Sequence, residues 1–165
     1  MSHRPGRSTL AIHGPPHRGG DGEPAVMPIY QSSTFRMGSG GEVVYSRYGN
    51  NPNQVEVARR YAALEGAERA VFLSSGNAAT ALAHLAVLRP GDHLLASEWI
   101  YGGTRALFDQ EFVRQGIAVS YVNPDQPREW RRSIRKTTRA IFVEAVSNPL
   151  LRVVDLDAVA KVTRD

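Results

Sequence analysis

Short apolar runs and helical patterns alternate along the last two thirds of the chain. The apolar runs cover 70–73, 93–97, 117–122 and 139–144. Runs of this length are typical of buried parallel strands, and the helical patterns between them predict helices near 78–88, 101–115, 127–136 and after Asp155. This alternation predicts an α/β fold with a largely parallel sheet and helices on both faces.

The first third of the chain follows a different pattern. Residues 1–23 are rich in Gly, Pro, His and Arg, which predicts an extended arm without a core of its own. Asn51 and Pro52 are typical of a helix start and Gly66 of a helix end, so we expect a helix over 52–65. The residues that this helix would bury are Val57, Tyr61 and Leu64.

A small polar turn, Ser74-Ser75-Gly76-Asn77, separates the first apolar run from an Ala- and Leu-rich helix. Free backbone amides and the helix dipole at such a start attract an anion, most often a phosphate. An ordinary strand-to-helix turn with a serine cap fits the same residues. Tyr101 and Asn148 also follow predicted strands, and all these residues could meet in one crevice at the carboxyl edge of the sheet.

Composition narrows the possible chemistry. The 165 residues are 42% apolar and include no cysteine, which excludes disulfides, thiolate nucleophiles and cysteine metal sites. His13 and His17 are separated by two prolines that prevent a helix from aligning them, so we expect no metal. An apolar leader and a membrane span are also missing from the pattern, and we expect a cytoplasmic protein.

The formal charge of +4 comes almost entirely from arginine. A cluster at helical spacing comprises Arg128, Arg131, Arg132 and Arg135. Trp130 and Ile134 would lie on the opposite side of that helix. A nucleic-acid footprint is one interpretation. A solvated helix face is favoured, because no aromatic residues interleave and Glu129 interrupts the stripe, so we expect no nucleic-acid partner.

Several short motifs occur in a fixed order. They are Thr9–Gly14, Pro28–Phe35, Tyr45–Arg47, Leu64–Gly66, Ser74–Gly76, Pro90–His93, Tyr101–Thr104 and Ser147–Leu150. Together they resemble the Cys/Met-metabolism enzymes that use pyridoxal phosphate, which include cystathionine γ-synthase, the cystathionine lyases, methionine γ-lyase and the O-acylhomoserine sulfhydrylases. The resemblance covers nearly all of this chain but less than half of a family member. It implies an incomplete fold type I transferase-like architecture, with an extended N-terminal arm followed by part of the sheet.

The resemblance implies two sets of phosphate ligands. Gly76 and Asn77 match the backbone amides that hold the cofactor phosphate, and Tyr45 and Arg47 match the pair that reaches the phosphate of a neighbouring subunit. It therefore implies an arm over 1–53 that contacts the neighbour, and the N-terminal portion of a cofactor-binding domain over 54–165. A homodimer or homotetramer follows for the full-length protein.

The resemblance also implies residues near the cofactor ring. Tyr101 matches the aromatic residue that stacks on the ring and can act in acid–base steps, and Asn148 matches the residue near the ring oxygen. The lysine that binds the cofactor covalently would lie beyond Asp165, and neither Lys136 nor Lys161 has the matching context. We therefore assign no Schiff-base lysine, and we expect an N-terminal part that is inactive alone.

The expected reaction is elimination or replacement at the γ- or β-carbon of sulfur amino acids, with cystathionine, O-acylhomoserine or cysteine as substrate. Gly103 stands where methionine γ-lyases carry cysteine, which argues against that member, and Arg105 lies one place before the usual arginine. Two alternatives stay open at this point. One is a non-catalytic remnant that binds a phosphate-bearing ligand or a partner chain, and the other is a basic module that binds nucleotide or nucleic acid.

Overall fold

A computed structural model describes residues 5–15, 22 and 24–163 of the chain. They form two compact units, Met1–Leu73 and Ser74–Asp165. The elements are α1 (Arg7–His13), a 3₁₀ turn (Ser46–Tyr48), α2 (Pro52–Glu65), α3 (Gly76–Leu85), β1 (His93–Ser97), α4 (Gly102–Ala106) with a π-helical continuation (Leu107–Phe112), β2 (Ala118–Val122), α5 (Pro127–Ser133), β3 (Thr138–Phe142) and α6 (Leu156–Val162).

The second unit contains a parallel three-stranded sheet with the order β2-β1-β3. Leu94 of the central strand lies opposite Val119 of β2 and Ala140 of β3. All five residues of β1 are buried, which explains why this strand reads as a continuous apolar run rather than an alternating one. The predicted α/β class and the parallel sheet are confirmed.

Helices cover both faces of this sheet. On one face, Leu94 and Ala96 pack in a cluster with Phe108 and Phe112 of the π-helical segment. On the other face, Leu95 packs with Trp130 of α5 and with Val159 and Val162 of α6. Successive residues of β1 point to opposite faces, so one short strand contributes to two apolar cores.

The helix predicted over 52–65 is confirmed as α2. The Asn51 side chain accepts from the Asn53 amide at its start, and Gly66 ends it in the left-handed conformation. The predicted burial was wrong for Tyr61, whose exposed fraction is 56%, while Val57 and Leu64 are only half-buried. Ala62 is the residue of this helix that is buried.

Residues 1–23 were predicted to be extended, and α1 contradicts this within the described part of the arm. Its last turn is fixed by α2, since the guanidinium of Arg60 donates to the carbonyl oxygen of Ile12 at 2.6 Å. Gly14 follows with φ of 73°, a conformation that glycine tolerates. Residues 1–4, 16–21 and 23, which include His17, lie outside the described residues, as do 164 and 165.

Two further sequence predictions were wrong. Residues 70–73 are not a strand, and Val71 and Phe72 are exposed by 74% and 59%. A strand requires a paired neighbour, and among the described residues no other backbone pairs with this segment. The helix expected over 127–136 ends at Ser133, which leaves Arg135 in the following turn, where its amide donates to Thr138 Oγ1.

The predicted boundary between residues 53 and 54 rests on contacts with a neighbouring subunit and stays a prediction.

Within the described ranges, none of the helices is long and apolar enough to cross a bilayer.

Candidate functional site

The start of α3 presents two free backbone amides. Ser75 Oγ accepts from the Ala78 amide at 3.1 Å, and the Ser75 carbonyl accepts from the Ala79 amide at 3.0 Å. The amides of Gly76 and Asn77 have no acceptor in the described part of the chain. A serine cap therefore satisfies the third amide of the helix and leaves the first two for a ligand.

Gly76 borders open space. A Cβ atom at this position would meet no atom within 4 Å, and the residue does not have the positive φ that would demand glycine. Neither packing nor backbone conformation within the described chain explains a glycine here. Close approach of a ligand oxygen to the backbone does explain it, so the residues present fit a phosphate group.

Tyr101 lies beside this helix start. A Cβ atom added to Gly103 would overlap the Tyr101 ring at Cε1 and would lie 3.2 Å from Nδ2 of Asn77. The ring of Tyr101 and the side chain of Asn77 therefore meet over Gly103. The structure therefore brings Tyr101 next to Asn77 at the start of α3, whereas the crevice predicted from the sequence also included Asn148.

Asn148 lies in a tight hairpin that follows β3. Val146 and Val153 form an antiparallel bridge, and the Ser147 hydroxyl accepts from the Arg152 amide at 3.0 Å inside the turn. The Asn148 side chain is exposed but forms no hydrogen bond with Tyr101 or Asn77 among the described contacts. The structure therefore gives Asn148 a well-defined turn without joining it directly to the other site residues.

Tyr45 and Arg47 belong to the first compact unit. The Tyr45 ring makes an edge contact with Tyr48 at 5.5 Å between centroids, and its amide donates to Asn50 Oδ1 at 2.8 Å. Arg47 is exposed and has no ion pair within the described ranges. Its guanidinium is therefore available to an anion that comes from outside its own unit.

Neither lysine lies near the cluster around Gly103. Lys136 is exposed and precedes β3, so it lies at the amino edge of the parallel sheet, opposite the edge that leads to Tyr101. Lys161 is exposed on α6, which packs on the face of the sheet opposite to the segment that continues α4. Both positions agree with the expectation that these are surface lysines.

Arg105 is engaged within the second unit. Its guanidinium lies 4.0 Å from the centre of the Tyr121 ring and 3.5 Å from the carboxylate of Asp109. The Tyr121 hydroxyl donates to the same carboxylate at 2.7 Å, and burial together with that bond raises the pKa of Tyr121 above its ordinary range. These contacts attach α4 and its π-helical continuation to β2. They engage Arg105, the arginine that lies one place before its usual position in the motif.

The arginine cluster predicted on α5 is not one continuous helical stripe. Arg135 lies outside the helix and donates to Ser120 Oγ at 2.7 Å, whereas Trp130 is fully buried. Ile134 is 39% exposed. No group of three or more potential metal-binding side chains occurs among the residues described.

Two contributors were missed by the sequence analysis. Glu144 accepts a hydrogen bond from the Tyr101 amide at 2.9 Å, and Gly103 gives the Tyr101 ring its space. No local pattern could reveal the first, because 43 residues separate the two partners. The glycine after Tyr101-Gly102 was visible in the sequence, but its packing role was not.

Comparison with known proteins identifies similar sequences. Residues 8–165 match the family model described as Cys/Met metabolism PLP-dependent enzyme. The chain is 41% identical over 148 residues to O-acetyl-L-homoserine sulfhydrylase of Corynebacterium glutamicum, covering 82% of this chain and 34% of that protein. It is 38% identical over 151 residues to cystathionine beta-lyase MetC of Staphylococcus haemolyticus, covering 90% of this chain and 38% of that protein.

Solved structures agree with this similarity. The crystal structure of metB from Corynebacterium glutamicum matches with a TM-score of 0.86 and 35% identity, over 97% of this chain and 42% of that one. A putative O-acetylhomoserine (thiol)-lyase from Campylobacter jejuni, solved with N'-pyridoxyl-lysine-5'-monophosphate, matches with a TM-score of 0.83 and 27% identity, over 96% and 41%. The chain thus spans about two fifths of the proteins it matches.

Proposed function

The chain belongs to the Cys/Met-metabolism family of pyridoxal-phosphate-dependent enzymes, and we propose that the protein catalyses elimination or replacement at the γ- or β-carbon of sulfur amino acids. Cystathionine, O-acylhomoserine and cysteine are the proposed substrates. The names of the similar proteins support this class, since they include an O-acetyl-L-homoserine sulfhydrylase and a cystathionine beta-lyase. A cytoplasmic location is part of the same proposal, which cell fractionation tests.

The observation that carries the proposal is the pair of free amides beside the Tyr101 ring. In the proposal, the amides of Gly76 and Asn77 donate to the cofactor phosphate, and the Tyr101 ring packs against the cofactor ring. The amide group of Asn148 would lie near the ring oxygen. When bound, pyridoxal phosphate supplies an electron sink that stabilises negative charge at the substrate α-carbon.

The residues of this chain would bind and orient the reactants. Tyr101 is 53% exposed, so its hydroxyl can hold or move a proton at Oη while its ring remains against the cofactor. Tyr45 and Arg47 would reach the phosphate held by a neighbouring subunit, where the planar guanidinium suits a phosphate. This part of the proposal requires a homodimer or homotetramer with shared sites.

No lysine of this chain is proposed as the covalent anchor of the cofactor. Treatment of residues 1–165 with pyridoxal phosphate and borohydride should leave no single stoichiometric label on Lys136 or Lys161, because both are exposed away from the Gly103 cluster. Peptide mapping by mass spectrometry measures the label. A stoichiometric adduct on one of them, together with turnover, would contradict this assignment.

A proline substitution tests the free-amide argument. Gly76→Pro removes one amide at the first position of α3, where proline is tolerated and where the extended conformation of Ser75 suits a following proline. We expect affinity for pyridoxal phosphate, measured by absorbance titration, to fall about tenfold or more, as expected for a lost hydrogen bond to a charged group. Unchanged affinity would contradict the proposed phosphate site.

Leu156→Pro is the matched control. Leu156 is the first residue of α6, and Asp155 caps that helix through the Ala158 amide as Ser75 does in α3. This variant places the same substitution at an equivalent position outside the site, so cofactor affinity should remain at the wild-type value. Far-ultraviolet circular dichroism of both variants checks that the helices persist.

Turnover tests the substrate class. The complete protein with bound cofactor should process cystathionine or O-acylhomoserine, and no turnover of either would reject the class. Affinity for the phosphate without turnover of any sulfur amino acid would favour the non-catalytic alternative. Mixed dimers of Arg47→Ala and Gly76→Pro should recover activity, because one hybrid site then carries both native groups; no recovery would contradict sharing between subunits.

A further inference from the structure

We propose that Glu144 is a positioning residue for Tyr101. Its carboxylate holds the main chain at Tyr101 so that the aromatic ring faces the first amides of α3. The inference deepens the proposed function, and the role of Tyr101 toward the cofactor rests on that proposal. The contact between Glu144 and Tyr101 itself belongs to the chain and can be tested without any cofactor.

The contact is a hydrogen bond from the Tyr101 amide to Oε1 of Glu144 at 2.9 Å. Tyr101 occupies the position before α4, and its own side chain does not cap the helix. The carboxylate of Glu144, which is 43 residues away in the chain, therefore caps the start of α4. A charged acceptor makes such a bond stronger than a neutral one, and negative charge is favourable at a helix start.

The hydrogen bond links the two loops that follow the neighbouring strands β1 and β3. Tyr101 follows the end of β1 at Ser97, and Glu144 follows the end of β3 at Phe142. Because β1 and β3 are adjacent and parallel, both loops leave the same edge of the sheet. The bond fixes the distance between these two loops at the edge where ligands of open α/β sheets bind.

The ring of Tyr101 depends on this main-chain anchor. One side of the ring lies over Gly103, where no Cβ atom is present, and about half of the residue is exposed. Few side-chain contacts therefore restrain the ring, and its orientation depends on the backbone of Tyr101. Oε2 of Glu144 has no partner among the described residues, so the carboxylate serves this contact and no other within them.

Amide hydrogen exchange of Tyr101 tests the anchor in the cofactor-free protein. Glu144→Ala should speed exchange at the Tyr101 amide about tenfold or more, since the bond has a charged acceptor. Glu144→Gln keeps a carbonyl acceptor and should retain part of the protection. Glu98→Gln is the matched control, because Glu98 follows β1 directly, is exposed and should leave the exchange unchanged. Unchanged exchange in Glu144→Ala would overturn the proposal.

Visible circular dichroism of bound pyridoxal phosphate tests the consequence for the site. Glu144→Ala and Tyr101→Ala should change the cofactor signal in the same sense. If Glu144 acts through the Tyr101 ring, adding Glu144→Ala to Tyr101→Ala should produce no further change. An additive change in the double variant would overturn the positioning role. A wild-type protein that shows no cofactor signal would instead contradict the proposed function, while the exchange experiment would still decide the anchor.

Discussion

The two compact units of this chain are stabilised by different means. The second unit has two apolar clusters, one on each face of β1, and they include seven fully buried apolar side chains, Leu94, Leu95, Ala96, Phe108, Phe112, Ile117 and Trp130. In the first unit, Ala62 is the buried apolar residue among those described, and Asn51 is buried beside polar groups. Within one chain, burial of apolar area dominates one unit and hydrogen bonding dominates the other.

Several polar contacts of the first unit converge on the carboxylate of Glu56. Glu56 accepts from Arg59 at 2.8 and 2.9 Å and from Arg60 at 2.7 Å, while these arginines also donate to the carbonyl oxygens of Pro15 and Ile12. Such a network fixes geometry without contributing much hydrophobic free energy. A segment can therefore be well defined around its polar groups while its large apolar side chains stay exposed.

The largest expected effect comes from the apolar core of the second unit. Phe108→Ala should lower the free energy of unfolding by about 3–5 kcal/mol, because the ring is fully buried against His84 and Phe142 and its removal leaves a cavity. Urea unfolding followed by fluorescence measures the change. Val113→Ala, at an exposed position of the same helix, should change it by less than about 0.5 kcal/mol. Equal costs for the two variants would contradict the description of this core.

A smaller loss is expected from the polar centre of the first unit. Glu56→Gln should destabilise α2 and its contact with α1 by about 2 kcal/mol, since bonds to charged groups are lost and two arginines keep their charge without the carboxylate. Hydrogen exchange of α2 amides measures the change locally. Glu65→Gln, at the exposed end of the same helix, is the control and should have no effect. If Glu56→Gln left the hydrogen exchange of the α2 amides unchanged, the network around Glu56 would not be what stabilises this unit.

Acid should destabilise the first unit through the carboxylate of Glu56. Hydrogen bonds from Arg59 lower the pKa of Glu56 more than its burial raises it, and Arg60 adds to the lowering. A folded-state pKa below the unfolded value gives stability that is complete above the ordinary glutamate pKa of about 4.3 and is lost as the pH falls through the lowered value. Protection of α2 amides should therefore decline below about pH 4.3, and Glu56→Gln should flatten that decline.

Helix caps offer a matched comparison with smaller effects. Asn51 caps α2 and also donates to the Ser32 carbonyl and the Ser46 hydroxyl, whereas Ser75 caps α3 through the single contact with Ala78. Asn51→Ala should cost about 2 kcal/mol and Ser75→Ala about 1 kcal/mol. Thermal unfolding of both variants measures the difference. If Ser75→Ala lowered stability more than Asn51→Ala, this would contradict the greater dependence of the first unit on polar contacts.

The smallest expected effect concerns one buried histidine of the second unit. Burial, followed by the charge of Arg135, lowers the pKa of His93, whose Nδ1 lies 2.7 Å from Thr138 Oγ1. Since the unfolded state binds the proton more readily, stability is complete above the ordinary histidine pKa of about 6.5 and is lost as the pH falls through the lowered value. Urea unfolding between pH 7.5 and 5.5 should show this loss in the wild type and a flatter profile in His93→Asn.

Glu56→Gln should keep the His93-dependent profile, because its own acid transition lies at lower pH. If Glu56→Gln removed the dependence between pH 7.5 and 5.5, the two units would not respond to acid through separate groups.

Much of the second unit follows from the sequence alone. The strands at 93–97 and 118–122 and the helix caps at Ser75 and Asp155 follow from local signals, because apolar runs and capping residues depend on neighbouring residue types. The same holds for Asn51 and Gly66 at the ends of α2. The burial predicted for the two apolar runs is complete for β1, whereas β2 is mostly half-buried. The resemblance carried by the short motifs also names Gly76, Asn77 and Tyr101 as candidate site residues, and their roles toward a cofactor stay predictions.

Only the tertiary structure decided how these parts are held. The segment 70–73 has the composition of a strand, but composition cannot supply the partner that a strand requires. Arg60 fixes the end of α1, and Glu144 anchors Tyr101, through contacts between residues far apart in the chain. The sequence determined which residues carry local structure and candidate chemistry. The fold determined which of them meet, because contacts across a sheet edge or between helices have no local signature.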